Sequence, residues 1–514
     1  MRWVLIKPRN RSPYYDPEIQ EPLGLECLSA SLRLRDDAVL ILDLALEGVD
    51  ERRAARRAAG FELDAVGFSV TTFQDLESLR QVDHELRRAL GPRPCRFVAG
   101  GNFVSTEPRQ AERLLPDDYL LVRFEGETAL AELSTRDGLG MPPSGSRIVV
   151  APVVADLDTL PFPDRPYAAE ILGSGWAFNV QASRGCWGAC RYCASPGMRR
   201  DSHGRWRGRS PAHIVEEIDQ LQRRFGAQAF NFVDEDFLGP PRLAIGRARA
   251  FASEVRRRGL RLCFSIQVRP DSLSETAIDA LIEAGLTYVF MGLESDQPED
   301  FRRWGRPWTE NPWRFVTRLR DRGAMVNVGV LLFHPDATLE GIRHFGEALY
   351  RFGLLEYQSA RNRLDAMPGS ALHAEALVPG CPVEPGPMHL PFADPRVDAF
   401  YQDLITALEP LGPPSMHALC ALPPLLTAQR LDGRLAARCA ALQRVVAELD
   451  EGVARTFFAL LESHERGCAG PALVAEWRQR SLERGLRGAR ALVDAGVAPS
   501  LEALREAIRI DAGT

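Results

Sequence analysis

A cysteine-rich loop decides the fold of this chain: SRGCWGACRYC, residues 183–193. It follows a short apolar run at 177–182 that indicates a strand, and it spaces three thiols as C-x3-C-x2-C at Cys186, Cys190 and Cys193. Three thiolates on one loop can ligate three corners of a cubane cluster, and the missing fourth ligand leaves one iron open to bind a substrate through its amino and carboxylate groups. We therefore predict a 4Fe-4S cluster at these cysteines.

Two other interpretations of the loop stay open, a structural zinc site and three cysteines that bind nothing. Structural zinc requires four closed ligands. The next candidate ligand, His203, follows Cys193 by ten residues without the spacing of a zinc motif. The cluster is therefore the favoured interpretation.

Strand and helix patterns alternate on both sides of the loop. Residues 174–375 carry five strand patterns, at 177–182, 229–233, 261–267, 287–293 and 326–332. Each is followed by a helical stretch, which predicts a partial (β/α)6 barrel over this region. Residues 376–514 lose the strand signal and predict a helical C-terminal region, with helices at 393–411, 423–448, 450–464, 470–495 and 500–509.

The N-terminal part also alternates strand patterns with helical patterns. Strand patterns at 3–6, 39–44, 65–70, 96–101 and 119–123 are separated by helical patterns. Such an order predicts an α/β domain over 1–137 with a doubly wound parallel sheet. Ligands of these sheets bind beyond the carboxyl ends of the strands. Residues 138–173 are rich in Gly, Pro and Ser and indicate a linker.

Composition excludes several classes of function. The formal charge of −6 and pI near 6.0 give no general basic field, so we expect no nucleic-acid partner. Lys7 is the single lysine, which disfavours Schiff-base chemistry. Ten cysteines without a dense framework, no apolar run of about 18 residues and no signal-peptide pattern predict a cytoplasmic protein without a membrane span.

The cysteine loop and the strands after it resemble the radical S-adenosylmethionine superfamily over roughly 200 residues. The resemblance rests on the motifs RGRSP at 207–211, NFVDEDF at 231–237, SIQVR at 265–269, GLES at 292–295 and VLLFHP at 330–335. It implies that the polar ends of the barrel strands contact S-adenosylmethionine and that the fifth strand lines its adenine. The residues expected to bind this cofactor are Asp234, Asp236, Ser265, Gln267, Arg269, Glu294 and Leu332.

Structural roles for these residues stay open. Asp234 and Asp236 can cap the following helix. Arg269 can pair with Glu294, and Gln267 can satisfy backbone groups. His334 can be a packed histidine or a catalytic one.

The N-terminal domain resembles the cobalamin-binding domain that precedes many radical enzymes. The similar motifs are PLGL at 22–25, VGFSVT at 66–71, GGN at 100–102 and EGE at 125–127. The resemblance implies that Gly100, Gly101 and Glu125 contact cobalamin. The D-x-H-x-x-G loop is absent and the first histidine is His84. The domain therefore either binds cobalamin without an imidazole ligand or keeps the fold and has lost the vitamin.

The combined resemblance implies an enzyme that cleaves S-adenosylmethionine to a 5′-deoxyadenosyl radical. With cobalamin, methylation of an unactivated carbon of a small-molecule biosynthetic intermediate is the leading expectation. A cobalamin-independent or non-methylating isomerase, cyclase or dehydrogenase is the alternative, and an iron–sulfur redox sensor is an alternative of another class. The expected partners are a small-molecule substrate and an electron donor such as a flavodoxin or ferredoxin.

Overall fold

The computed structural model describes residues 1–10, 21–134, 146–174, 176–197, 206–377, 384–416, 418, 422 and 436–496. The chain divides into two compact units. Unit 1 comprises Met1–Pro240, Ser253–Leu260 and Ala366–Met388. Unit 2 comprises Pro241–Ala252, Arg261–Asp365 and His389–Thr514. The predicted domain boundaries at 137, 173 and 375 follow sequence pattern, and they stay a prediction.

The strands of the described residues are β1 Arg2–Lys7, β2 Ala38–Asp43, β3 Ala65–Ser69, β4 Arg96–Gly100, β5 Tyr119–Arg123, β6 Ile148–Val150, β7 Phe178–Val180, β8 Ser183–Gly185, β9 Trp206–Gly208, β10 Ala229–Phe232, β11 Cys263–Val268, β12 Leu286–Glu294, β13 Met325–Val330, β14 Asp365–Ala366 and β15 Met388–His389.

The α-helices are α1 Leu23–Arg33, α2 Glu51–Gly60, α3 Asp75–Leu90, α4 Asn102–Thr106, α5 Pro108–Leu114, α6 Gly126–Leu133, α7 Ala168–Ser174, α8 Pro211–Phe225, α9 Pro241–Arg257, α10 Glu275–Ala284, α11 Pro298–Arg303, α12 Trp313–Asp321, α13 Leu339–Arg351, α14 Ala371–Ala376, α15 Pro395–Leu408, α16 Ala436–Glu465 and α17 Pro471–Asp494. None of the helices in the described ranges has an apolar stretch long enough to cross a membrane.

The first sheet lies in unit 1 and confirms the predicted doubly wound domain. Its six strands are parallel and run in the order β2-β1-β3-β4-β5-β6. Alternate residues of each strand enter two cores, so that Val4 and Ile6 pack on one face of the sheet and Trp3 and Leu5 on the other. The sixth strand, β6, was not predicted because it is three residues long and lies in the Gly- and Pro-rich segment assigned as linker.

Each unit also contains further parallel strands. In unit 1, β7 pairs with β10. In unit 2, β11, β12 and β13 pair in that order. All five were predicted within a few residues of their observed bounds. The sixth barrel position is represented by a single parallel bridge between Phe333 and Arg363.

The helical C-terminal region differs from the prediction in one respect. The sequence pattern divides this stretch at Leu449, between helices at 423–448 and 450–464, but α16 continues without a break from Ala436 to Glu465. Gly452 faces α17, where a Cβ atom would lie 2.9 Å from Cδ of Arg484. The glycine therefore permits close packing of two helices and does not end one. The predicted helix at 500–509 and most of the segment at 423–435 lie outside the described residues.

Candidate functional site

The three cysteines of the predicted cluster lie together in unit 1, on the loop that leaves β8. This strand pairs with β9 in an antiparallel ribbon and ends at Gly185, directly before Cys186. Cys190 is buried, and Cys186 and Cys193 are half-buried. The amide of Gly188 donates to Sγ of Cys186 at 3.4 Å, and the amide of Ser195 donates to Sγ of Cys193 at 3.4 Å. The backbone of the loop is thus wrapped around its own sulfur atoms.

This arrangement fits an iron–sulfur cluster better than a zinc ion. Within the described ranges, no group of three or more His, Cys, Asp or Glu side chains can hold a single metal ion. In a cubane each thiolate binds a different iron, so three separated sulfurs are the expected donor set. Amide N–H groups directed at thiolate sulfurs also stabilise the negative charge of a cluster. His203, the candidate fourth zinc ligand, lies outside the described residues.

Two carboxylates after β10 hold the cysteine loop in place. Asp234 is 2% exposed and accepts hydrogen bonds from the hydroxyl of Ser183 at 2.5 Å and the amide of Ala182 at 3.2 Å. Glu235 accepts from the amide of Gly185 at 2.7 Å and the hydroxyl of Ser195 at 3.4 Å. Glu235 thereby ties both ends of the cysteine loop to β10, a role that was not predicted.

The predicted cofactor residue Asp236 lies beside the same strand. Its side chain is fully buried, and its carbonyl oxygen accepts a hydrogen bond from Nε1 of Trp206 at 2.9 Å. Asp234 and Asp236 both accept a hydrogen bond from the hydroxyl of Ser183 in β8, Asp234 through its carboxylate and Asp236 through its carbonyl oxygen. Neither lies in an α-helix or caps one, since the next helix, α9, begins at Pro241 without a side-chain cap.

The remaining residues that are predicted to contact S-adenosylmethionine lie in unit 2. Ser265 and Gln267 occupy alternate positions of β11 and are more exposed than Ile266 between them. Arg269 follows the strand and forms two hydrogen bonds with Asp271, at 2.9 and 2.7 Å. Glu294 pairs instead with Arg306, whose Nη1 lies 2.8 Å from its carboxylate. The suggested pair between Arg269 and Glu294 is therefore wrong.

Glu294 also has an unusual backbone. Its φ angle is +67°, in the left-handed region that side chains other than glycine rarely adopt. The strand register shifts between Gly292 and Glu294, which makes the residue part of a bulge at the end of β12. Strained backbone is typical of ligand sites. Leu332, beyond the end of β13, is 3% exposed and lines a cavity of about 280 Å³ with Ser295, Asp300 and His334.

The loops at the carboxyl edge of the first sheet explain the predicted glycines. Gly101 has a φ angle of +104°, and a Cβ atom there would lie 2.5 Å from the carbonyl oxygen of Val70. A Cβ at Gly100 would meet the carbonyl oxygen of Val122 at 3.3 Å. The carbonyl of Val70 therefore excludes a side chain at Gly101, and that of Val122 leaves little room for one at Gly100. The same bare backbone is available to a bulky ligand. His84 is exposed on α3, so no histidine of the preceding loops is present to ligate cobalt.

An ion network joins this edge to the strand before the cysteines. Arg184 of β8 contacts Glu127 at 2.5 Å and Glu125 at 3.3 Å. Arg207 of β9 also pairs with Glu125, which in addition accepts the amide of Val154 at 3.1 Å. Burial alone would raise the pKa of Glu125, but hydrogen bonds and charge from the two arginines outweigh it and lower that pKa. The predicted cobalamin contact Glu125 is thus an ionised member of a network.

A second network, also in unit 1, was not predicted. Arg165 is 3% exposed and lies 2.8 Å from Glu21, 3.4 Å from Glu26 and 2.6 Å from Glu217. Arg209 adds a second contact to Glu217 at 2.5 Å. Burial raises the pKa of Glu26 to about 9. The only local signal was the motif LPFPDR at 160–165, which places an arginine after two prolines.

Comparison with protein families agrees with this geometry. Residues 180–349 match the Radical SAM superfamily, and residues 17–134 match the B12 binding domain. The chain is 27% identical over 294 residues to an uncharacterized methyltransferase of Pyrococcus horikoshii, covering 54% of this chain and 61% of that protein. It is 32% identical over 160 residues to an anaerobic magnesium-protoporphyrin IX monomethyl ester cyclase of Synechocystis sp., covering 27% and 30%. The chain thus spans less than two thirds of either relative.

Solved structures show the same fold. The cobalamin-dependent S-adenosylmethionine radical enzyme OxsB, with aqua-cobalamin and S-adenosylmethionine bound, aligns with a TM-score of 0.72 at 17% identity, covering 100% of this chain and 84% of that one. The radical S-adenosylmethionine methyltransferase TsrM from Kitasatospora setae aligns with a TM-score of 0.56 at 22% identity, covering 73% and 75%. The predicted fold class is confirmed.

The two family matches also imply the three predicted cofactors, a 4Fe-4S cluster, S-adenosylmethionine and cobalamin. The chain therefore carries a domain of the radical S-adenosylmethionine superfamily over residues 180–349 and an N-terminal B12 binding domain over residues 17–134.

Proposed function

We propose that this protein is a cobalamin-dependent radical S-adenosylmethionine methyltransferase that methylates an unactivated carbon of a small-molecule intermediate. The observation that carries the proposal is the ion network of Arg184 and Arg207 with Glu125 and Glu127. It joins the carboxyl edge of the B12 binding sheet, where ligands of such sheets bind, to the strand that leads into Cys186. Methyl transfer between two cofactors requires this proximity.

Each group of residues has a role in the proposal. Cys186, Cys190 and Cys193 hold the cluster, and Asp234 and Asp236 contact S-adenosylmethionine from the side of β10. Ser265, Gln267, Arg269 and Glu294 bind its polar groups, and Leu332 packs on its adenine. Gly100, Gly101 and Glu125 contact cobalamin.

When bound, the cluster and cobalamin supply reductive cleavage of S-adenosylmethionine and transfer of a methyl group. The chain's own residues bind, orient and exclude water. Glu235 fixes the cysteine loop from both ends, and Arg184 forms ion pairs with Glu125 and Glu127 at the sheet edge. We further propose a cytoplasmic location, a flavodoxin or ferredoxin as electron donor, and no nucleic-acid or membrane partner.

The test begins with anaerobic reconstitution of the full chain with iron, sulfide and hydroxocobalamin, followed by metal analysis. The reconstituted protein is then incubated with a reductant and methyl-labelled S-adenosylmethionine. We expect about four irons per chain, stoichiometric cobalt, 5′-deoxyadenosine and label on the protein-bound cobalamin. Iron without cobalt would contradict the cobalamin-dependent reading.

A matched pair of variants tests the cluster ligands. Cys190 and Cys263 are both buried, at 7% and 6% exposure. Cys190→Ala should abolish the visible absorption of the cluster and the formation of 5′-deoxyadenosine, whereas Cys263→Ala should retain both. Equal loss in the two variants would refute the assignment of Cys190 as a ligand.

A second candidate function is radical ring formation without methyl transfer. It is favoured by the similarity to the magnesium-protoporphyrin IX monomethyl ester cyclase. The labelled-methyl experiment separates the two functions, since a cyclase would form 5′-deoxyadenosine while no label moves from S-adenosylmethionine to cobalamin.

A further inference from the structure

Unit 2 contains a cavity that the proposed chemistry does not use. Its volume is about 140 Å³, and its walls include Met325 and Asn327 of β13, Leu354, Glu356, Ser415 and Asp450 of α16. Met325 and Asn327 belong to the amino-terminal half of β13. Leu332, the predicted adenine contact, follows the carboxyl end of the same strand. Active sites of β/α barrels lie at the carboxyl ends of the strands, so this cavity belongs to the opposite end.

Two half-buried carboxyl groups, Glu356 and Asp450, face this cavity. Glu356 receives a hydrogen bond from Asn327, and Asp450 interacts with Glu356 by charge. Across the described ranges, neither carboxyl forms an ion pair with Arg, Lys or His. Arg320 also lines the cavity, but its guanidinium donates to the carbonyl oxygen of Phe352. Two carboxyl groups in an apolar setting without a counter-ion are costly unless they are protonated or meet a cation.

Ser415 supplies a second, independent sign of a ligand. It lines the same cavity, and its side chain is 8% exposed. In the part of the chain that the structure describes, its hydroxyl has no hydrogen-bond partner. Buried hydroxyls normally find a partner, because an unsatisfied one costs free energy. A ligand with an N–H or O–H group would satisfy it together with the two carboxyls.

We propose that this cavity is a second ligand site, which binds a small primary ammonium with an apolar body about the size of a benzene ring. A cavity of about 150 Å³ holds benzene in another protein. The walls formed by Met325, Leu354 and Leu449 are apolar, whereas Glu356, Asp450 and Ser415 can accept the three N–H groups of an ammonium. Because the site lies at the end of the barrel opposite to the catalytic end, the ligand acts as an effector and not as a substrate.

Protonation of the two carboxyls supports this assignment and makes binding depend on pH. Burial raises the pKa of Glu356 to about 7, and burial together with the charge of Glu356 raises the pKa of Asp450 to about 8. The other charged or titratable groups at the cavity are Arg320 on α12 and Tyr357 beside Glu356. An ammonium binds the ionised carboxyls, so it must displace protons below these pKa values.

The test is calorimetric titration of the full chain with benzylammonium chloride, with benzyl alcohol and sodium benzoate as neutral and anionic probes of similar shape. We expect saturable binding of benzylammonium alone, strengthening about tenfold between pH 6 and pH 8 as a carboxyl ionises. In two buffers of different ionisation enthalpy, the titration should show proton release. Equal binding of benzyl alcohol, or binding of benzylammonium without proton release, would overturn the proposal.

Variants identify the binding groups. Glu356→Gln and Asp450→Asn should each weaken benzylammonium binding about tenfold or more. Glu448→Gln, on an exposed position of the same helix as Asp450, should leave it unchanged. Undiminished binding by Asp450→Asn would refute the site. Should a variant fail to fold, the proton-release measurement on the unaltered chain decides. Absence of any benzylammonium binding between pH 6 and pH 9 would make the carboxyls a structural acid pair.

Discussion

Glu235 accepts hydrogen bonds from residues on both sides of the cysteine loop, Gly185 before Cys186 and Ser195 after Cys193. A single side chain thus sets the distance between the two ends of a loop whose sulfurs must meet one rigid cluster. The residue lies between the two aspartates that the sequence suggested as cofactor contacts. Its own role depends on partners that are 50 and 40 positions away in the chain.

Glu235→Ala should therefore weaken the cluster without removing a ligand. We expect a loss of about 1–3 kcal/mol in the free energy of unfolding, because the amide of Gly185 loses its acceptor. Iron retained after desalting should fall as well. The measurements are urea unfolding and iron analysis of the reconstituted protein. Glu476→Ala, on the exposed face of α17, should change neither quantity, and full iron retention by Glu235→Ala would contradict the positioning role.

At the scale of elements, Arg165 connects parts of unit 1 that are distant in sequence. Its three glutamate partners lie just before α1, within α1 and within α8. Arg165→Met leaves these carboxyls buried without their shared cation, and we expect a loss of about 3–5 kcal/mol of stability. Denaturant unfolding measures the free energy of unfolding of the variant and of the unaltered chain. Arg466→Met, which breaks an exposed ion pair with Glu462, should give no measurable change. If Arg165→Met and Arg466→Met both changed the free energy of unfolding only slightly, the buried network would contribute little to stability.

The turn after β4 gives a second test at this scale. Gly101→Ala places a Cβ against the carbonyl oxygen of Val70 in a left-handed backbone, so it should destabilise the B12 binding domain by at least about 1 kcal/mol. Gly60, at the end of α2, has open space around its Cα. Gly60→Ala should be neutral or slightly stabilising. The melting temperature without cobalamin is the measurement, and an unchanged value for Gly101→Ala would contradict the packing explanation.

Local pattern predicted the elements of this fold well because each strand carries its own apolar run. Five of the six strands of the first sheet, and also β7, β10, β11, β12 and β13, were found within a few residues of their bounds. The spacing of Cys186, Cys190 and Cys193 was equally local, and so the candidate cluster was predicted. β6 was missed since three residues show no alternation, and α16 was wrongly divided at Leu449. The charge networks were missed because their members meet only through the fold.

At the scale of the whole molecule, carboxyl groups with raised pKa values affect how the free energy of unfolding responds to pH. Burial raises the pKa of Glu26 to about 9, that of Glu356 to about 7 and that of Asp450 to about 8. A raised pKa means that the folded chain keeps a proton that the unfolded chain releases above about 4.5. The contribution of each group is complete below the unfolded pKa and is lost as the pH rises through the folded pKa.

We therefore expect the free energy of unfolding to fall between pH 7 and pH 9, a window in which unfolded histidines are already neutral. Glu26→Gln should reduce this fall, because a neutral amide has no proton to lose. Urea unfolding at a series of pH values measures the slope. A slope that is the same in Glu26→Gln and the unaltered chain would show that Glu26 is ionised in the folded state.

The contacts of Arg184 and Arg207 with Glu125 and Glu127 also limit which B12 binding domains can be combined with the radical S-adenosylmethionine region. Suppose that a B12 binding domain from another protein were joined to residues 180–349. Arg184 and Arg207 could form their ion pairs only if that domain had acidic side chains after its fifth strand. A graft without those acids would leave cationic side chains unpaired beside the cysteine loop. Functional chimeras must therefore exchange the two glutamates and the two arginines together, because the four side chains form one ion-pair network.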